Sequence, residues 1–122
     1  MAEADRLLKR SRYEQKHWDA AIQDYREGFR SQWSDAQNAM VAQRVSAELD
    51  RLGLPAPGPD AHLLDLHAKG AIFPHLDSLE YVGAYIAGIS LLSPAIMRLT
   101  HADGGPSTVD VLLEPGSLYI LQ

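Results

Sequence analysis

Apolar and polar positions follow two different periods along the chain, and the change comes near residue 54. Ahead of it, polar and charged residues fall in helical patterns. After it, short apolar runs alternate with Gly and Pro turns. The clearest helix begins at Ser34, which is spaced to act as N-cap with Gln37 three residues on. In that arrangement each side chain satisfies an orphan backbone N–H. Val41, Val45, Leu49 and Leu52 then recur on one stripe, and Gly53 is the residue type that commonly ends a helix. A shorter helix is predicted over 2–10, while 13–22 stays open between strand and helix. Pro55, Pro57 and Pro59 make 54–61 a linker or rigid turn, because proline continues no hydrogen-bond ladder.

Strands are predicted beyond the linker. Leu64, Leu66 and Ala68 alternate with Asp65 and His67. Residues 81–92 form a long apolar run interrupted by Gly83 and Gly88, and glycine inside a strand often marks a bend or bulge. The segments 95–101 and 108–114 flank Asp103-Gly104-Gly105-Pro106, a hairpin-loop signal. Pro115-Gly116 has the type II turn preference, after which 118–121 resumes a strand. The expected fold class is α+β, with helices first and an antiparallel sheet after them. Residues 1–53 read as a mainly helical lead-in, 54–61 as linker and 62–122 as sheet, all within one partial domain. A jelly roll needs about eight strands. Five can be counted and the last runs into Gln122, so the sheet reads as unfinished at its C-terminal side.

Composition narrows the chemistry. With 122 residues and 46% of them apolar, the chain is long enough for one domain with a core. No apolar run reaches the ~18 residues of a membrane span. Sixteen acidic against eleven basic side chains give a formal charge of −5, which argues against a uniformly basic nucleic-acid face. Met1–Arg12 carries Glu3 and Asp5, unlike transit peptides, which are poor in acidic residues. Cysteine is absent, so disulfides, iron–sulfur clusters and thiol catalysis drop out, and any metal must be held by His and carboxylates. Nucleophile elbows and phosphate loops are also missing. Asp65 and Asp110 read as outward strand residues.

The strongest metal candidate is His75-Leu76-Asp77. In an extended segment residues i and i+2 point the same way, so an imidazole and a carboxylate converge. They are two of the three ligands of the 2-His-1-carboxylate triad that holds Fe(II). Pro74 biases Phe73 toward extended geometry. The same spacing recurs in His17-Trp18-Asp19 and His101-Ala102-Asp103. With five His and ten Asp in the chain, chance alone gives about 0.4 such triplets. The triplet at 101–103 lies in a predicted hairpin loop and reads as turn chemistry. For His17 the alternative is a neighbour of a buried aromatic, and for His75 a surface histidine between strands. Tyr119 faces away from Leu118 and Ile120, and its ordinary reading is a buried, hydrogen-bonded tyrosine.

Longer blocks separate the three triplets. RYEQKHWDAAIQDYRE (Arg12–Glu27), GAIFPHLDS (Gly70–Ser78), GAYIAGISLLSPAIMRL (Gly83–Leu99) and LLEPGSLYIL (Leu112–Leu121) resemble the AlkB-type Fe(II)/2-oxoglutarate dioxygenases, on their mitochondrial branch. The resemblance covers nearly the whole chain except its first residues and the proline linker. It implies a double-stranded β-helix (jelly roll), Fe(II) as cofactor, 2-oxoglutarate as cosubstrate, and hydroxylation of a C–H bond. It places His75 and Asp77 as the iron-binding pair and Tyr119 against 2-oxoglutarate, and leaves out His17 and His101. It further implies a mitochondrial matrix location, protein or RNA rather than DNA as substrate, and links to fatty-acid metabolism and regulated necrosis. Family members continue past the Tyr-Ile-Leu block to a second iron histidine and to arginines for the 2-oxoglutarate carboxylate. Neither His101 nor Arg98 matches those positions. The expectation is therefore a truncated record of a dioxygenase, inactive as it stands. The alternative is a non-catalytic interaction module that pairs through an open sheet edge.

Overall fold

The computed structural model describes residues 2–9, 21–77 and 83–122. These residues form α1 (Ala2–Lys9), β1 (Ile22–Arg30), α2 (Ala36–Arg51), β2 (Ala61–Ile72), β3 (Ile86–Ile89), β4 (Ala95–Thr100), β5 (Thr108–Leu113) and β6 (Leu118–Leu121). The strands pair antiparallel as β1–β2, β3–β6 and β4–β5, which gives two helices and antiparallel sheets. The chain divides into two compact units, Met1–His75 and Leu76–Gln122.

The expected helix forms as α2, but its N-cap is Asp35 and not Ser34. The Asp35 carboxylate accepts from the N–H groups of Gln37 (3.1 Å) and Asn38 (3.0 Å). A full negative charge beside the positive helix end outcompetes a neutral hydroxyl one residue earlier. The N–H groups of Ser34 and Asp35 donate instead to Glu3 Oε2, at 2.8 and 2.7 Å. At the other end Leu54 N–H donates to Leu49 O and Gly53 N–H to Asp50 O, with Gly53 at φ 73°. This paired closure needs a left-handed residue, which glycine supplies without a Cβ clash. Leu49 and Asn38 are buried, and Val41 and Val45 partly so. Leu52, expected on the same stripe, caps the helix at ψ 0° and remains 48% exposed.

The lead-in expected to be mainly helical contains a nine-residue strand, β1. Its sequence, IQDYREGFR, lacks strict alternation and carries a glycine, so the sequence pattern conceals it. Cross-strand partners stabilise it: Arg26 pairs with Asp65 at 2.7 Å, and Phe29 stacks on His62 with ring centroids 4.5 Å apart. The ladder is regular from Tyr25↔Leu66 to Arg30↔Ala61 and again at Gln23↔Ala71 and Ile22↔Ile72. Between these stretches the register breaks, with Asp24 at φ 50° and the extra residues on the β2 side. Leu64, Leu66 and Ala68 do not line one buried face: Leu64 is half-buried, and Leu66 and Ala68 are exposed. Gly70 lies at the register break, where a Cβ would come within 2.5 Å of Asp24 O.

In the second unit the predicted hairpin 95–114 forms as β4 and β5. Ala95, Met97 and Leu99 share one face with Leu113, Val111 and Val109, by the register of the pair. Leu113 is buried, whereas Val109 is 57% exposed. The opposite face carries Arg98, whose Nε and one Nη donate to the two oxygens of Asp110, both at 2.7 Å. The turn at 114–117 closes with Ser117 N–H on Glu114 O and Gly116 at φ 87°, as a type II turn requires. The β3–β6 ladder runs without a break from Ile86↔Leu121 to Ile89↔Leu118. Gly88 is therefore not a bulge, contrary to the reading from its position in an apolar run.

The buried carboxylate of Glu3 fastens α1 to the start of α2, with Arg30 Nε 3.5 Å away. The Asp35 N–H does most to hold this carboxyl below its usual value of 4.5; burial opposes it, and Ser34 and Arg30 assist. A lowered folded-state pKa contributes stability above the unfolded value and loses it as pH falls through the folded one. Urea midpoints followed from about pH 6 to 3 should fall more steeply in wild type than in Glu3→Gln. The two curves should converge at the acid end. Parallel curves would show that Glu3 does not make this attachment.

Candidate functional site

The β1–β2 ladder delivers His75. Its last bond runs from Phe73 N–H to Ala21 O at 2.7 Å, and Pro74 has no N–H to extend it. The chain leaves the sheet there, and His75 Nδ1 comes within 2.8 Å of Phe73 O. A carbonyl only accepts, so the proton sits on Nδ1 and Nε2 carries the imidazole lone pair. Metal-binding histidines are oriented in this way, with one ring nitrogen tied to a carbonyl and the other set to coordinate. His75 and Asp77 both lie at exposed positions, in the non-helical, non-strand segment that follows β2.

Asp77 and Tyr119 both belong to the second unit. Burial raises the Tyr119 phenol above its usual value of 10.0, and the negative charge of Asp77 raises it further. A phenol is protonated at neutral pH at its ordinary value, so the shift leaves the hydroxyl a donor as before. Tyr119 belongs to β6 and stands opposite Gly88 of β3. A Cβ on Gly88 would overlap Cζ and the hydroxyl oxygen of the tyrosine, so the ring lies across the bare glycine backbone. Reading the residues one at a time took Gly88 for a bend or bulge. The available signal was a glycine in a strand facing an aromatic on the paired strand, which requires the register to be known.

The other triplets separate clearly. His101-Ala102-Asp103 forms an exposed turn in which His101 Nδ1 accepts from Asp103 N–H at 3.3 Å, the local turn chemistry expected of it. His17, Trp18 and Asp19 lie outside the described residues. Arg98 is held in its fork with Asp110. Two clefts of about 540 and 210 Å³ lie around Glu3 and Arg30, and none of the candidate residues lines them.

His75 and Asp77 supply one imidazole and one carboxylate, donor types that suit Fe(II) and similar divalent ions. Among the described residues no group of three His, Cys, Asp or Glu is arranged to hold a metal. The fit is thus that of a partial site, with two donors of the right chemistry.

Comparison with known proteins identifies the blocks that surround these residues. The chain is 47% identical over 126 residues to the mitochondrial alpha-ketoglutarate-dependent dioxygenase alkB homolog 7 of Mus musculus, an alignment covering 98% of the chain. It is 48% identical over 115 residues to the protein of the same name from Bos taurus, covering 94% of the chain. The chain belongs to the AlkB-homologue family. It spans about half the length of these curated relatives, 53% and 51% respectively. No protein-family profile matches it. The family relationship runs through every described element that carries a candidate residue, because the alignments take in nearly the whole chain.

Proposed function

We propose that the chain carries part of the site of a mitochondrial Fe(II)- and 2-oxoglutarate-dependent dioxygenase, built on a double-stranded β-helix. His75 and Asp77 are its iron ligands and Tyr119 its contact to 2-oxoglutarate. The observation that supports this reading is the 47–48% identity to mitochondrial alpha-ketoglutarate-dependent dioxygenases over nearly the whole chain, which carries an imidazole and a carboxylate two residues apart at His75 and Asp77. The relatives' names supply the cosubstrate and the compartment. The antiparallel pairs β3–β6 and β4–β5 agree with strands of such a β-helix.

Iron with 2-oxoglutarate and O₂, when bound, supplies the oxidising power for hydroxylating a C–H bond. The residues of the chain do the positioning. His75 offers Nε2 because Phe73 O holds the proton on Nδ1. Asp77 brings the anionic charge that a divalent ion requires. Tyr119 donates its hydroxyl hydrogen to a cosubstrate oxygen. In the mitochondrial matrix the substrate is a protein or RNA, with the enzyme acting in fatty-acid metabolism and regulated necrosis.

Anaerobic addition of Fe(II) and 2-oxoglutarate tests the pair directly. A visible charge-transfer band should appear at high ligand concentration and vanish in His75→Ala and Asp77→Ala, while His101→Ala keeps it. A folded sample with no band, or one indifferent to both substitutions, would remove these residues from the site.

A second reading is favoured by the β4–β5 hairpin, whose face of Met97, Leu99, Val109 and Val111 includes side chains left well exposed. Every sheet among the described residues has only two strands, so each strand keeps one edge outside its own ladder. As an interaction module the chain would associate through such an edge. Size-exclusion at rising concentration should then show a growing dimer fraction. A single monomer peak throughout would withdraw this reading.

A further inference from the structure

The residue opposite Tyr119 decides where the phenol can go. In an antiparallel ladder directly opposed side chains stand close, and any residue larger than glycine at that place presents a Cβ to its partner. Gly88 and Tyr119 are such a pair. The atoms that would meet a Gly88 Cβ are Cζ, the hydroxyl oxygen and Cε1. These belong to the functional end of the ring and not to its root. The phenol therefore rests on the β3 backbone, and the hydroxyl occupies the space a methyl group would take. The β3–β6 register is unbroken on both sides of the pair, so the glycine is not required by a bend or bulge. Its backbone is not at positive φ either, unlike Gly53, Gly104 and Gly116. What remains as its physical requirement is room for the ring.

We infer that Gly88 is a positioning residue of the 2-oxoglutarate site: its missing side chain lets the Tyr119 ring lie across β3 and fixes where the hydroxyl is presented. The inference rests on the proposed contact between Tyr119 and 2-oxoglutarate. Because the conflicting atoms are the far end of a side chain with two free torsions, Gly88→Ala displaces the ring by rotation about them. The strand pair is left in place.

The test uses the chain in wild-type, Gly88→Ala, Tyr119→Phe and doubly substituted forms. In the ligand-free chain, proton NMR should show nuclear Overhauser contacts between the Gly88 α-protons and the Tyr119 ring. Calorimetric titration of 2-oxoglutarate into Mn(II)-loaded protein should then show about tenfold weaker binding for Tyr119→Phe, the loss of one hydrogen bond to a charged group. Gly88→Ala should lose about the same factor, and the double variant should lose no more than either. Mn(II) affinity and melting temperature should stay at wild-type values, which a general disturbance of the sheet would not allow. Gly88→Ala with unchanged 2-oxoglutarate affinity beside a weakened Tyr119→Phe would overturn the inference. So would losses that multiply in the double variant, or absent ring contacts in wild type. Were Tyr119→Phe itself without effect, or wild type unable to bind 2-oxoglutarate, the site proposed above would fall and this role with it. The ring contacts would then persist as structure alone, which separates the two failures.

Discussion

The ladder between β1 and β2 ends on one hydrogen bond, from Phe73 N–H to Ala21 O, and proline follows it. That stop governs the approach to the candidate metal ligands. Up to Phe73 the backbone is committed to a neighbouring strand; at Pro74 there is no hydrogen to donate, and the chain must leave. Its first free turn brings the His75 ring back onto the carbonyl of Phe73, which sets the tautomer. The register that puts Phe73 opposite Ala21 depends in turn on the irregularity at Asp24 and on Gly70, where a side chain would collide with the β1 carbonyls. The irregularity and the proline stop thus set where the chain turns out of the sheet ahead of the candidate ligands.

The second unit solves a different problem. The Tyr119 ring lies across the bare backbone of Gly88, its partner in the β3–β6 pair. Half-burial there and the charge of Asp77 push its phenol further from ionisation.

Much of this was legible beforehand, and the gaps have physical causes. Helix α2 announced itself through its stripe and Gly53, yet the cap fell on Asp35, whose charged carboxylate outcompetes the Ser34 hydroxyl at the positive helix end. Strand β1 was invisible because its support is cross-strand: Arg26 needs Asp65 and Phe29 needs His62, and neither pairing shows in a local window. The hairpin 95–114 was plain, since its apolar alternation and Gly-Gly-Pro loop are local signals. The turn at 114–117 was equally plain from Pro115-Gly116. Among the three His-x-Asp triplets the residues alone gave no ranking beyond loop context; only the resemblance of the longer sequence blocks singled out His75 and Asp77. Gly88 was noticed and misread, because a glycine that makes room for an aromatic looks like one that bends a strand until its partner is known.

The central proposal is that His75 and Asp77 take a metal ion and that Tyr119 meets the cosubstrate. Paramagnetic broadening by Mn(II), followed by NMR on the isotopically labelled chain, tests it most directly. Broadening should begin at His75 and Asp77, extend to the Tyr119 ring, spare His101, and disappear in Asp77→Ala. Broadening centred on His101–Asp103, or spread evenly over the acidic surface without reaching Tyr119, would contradict the account.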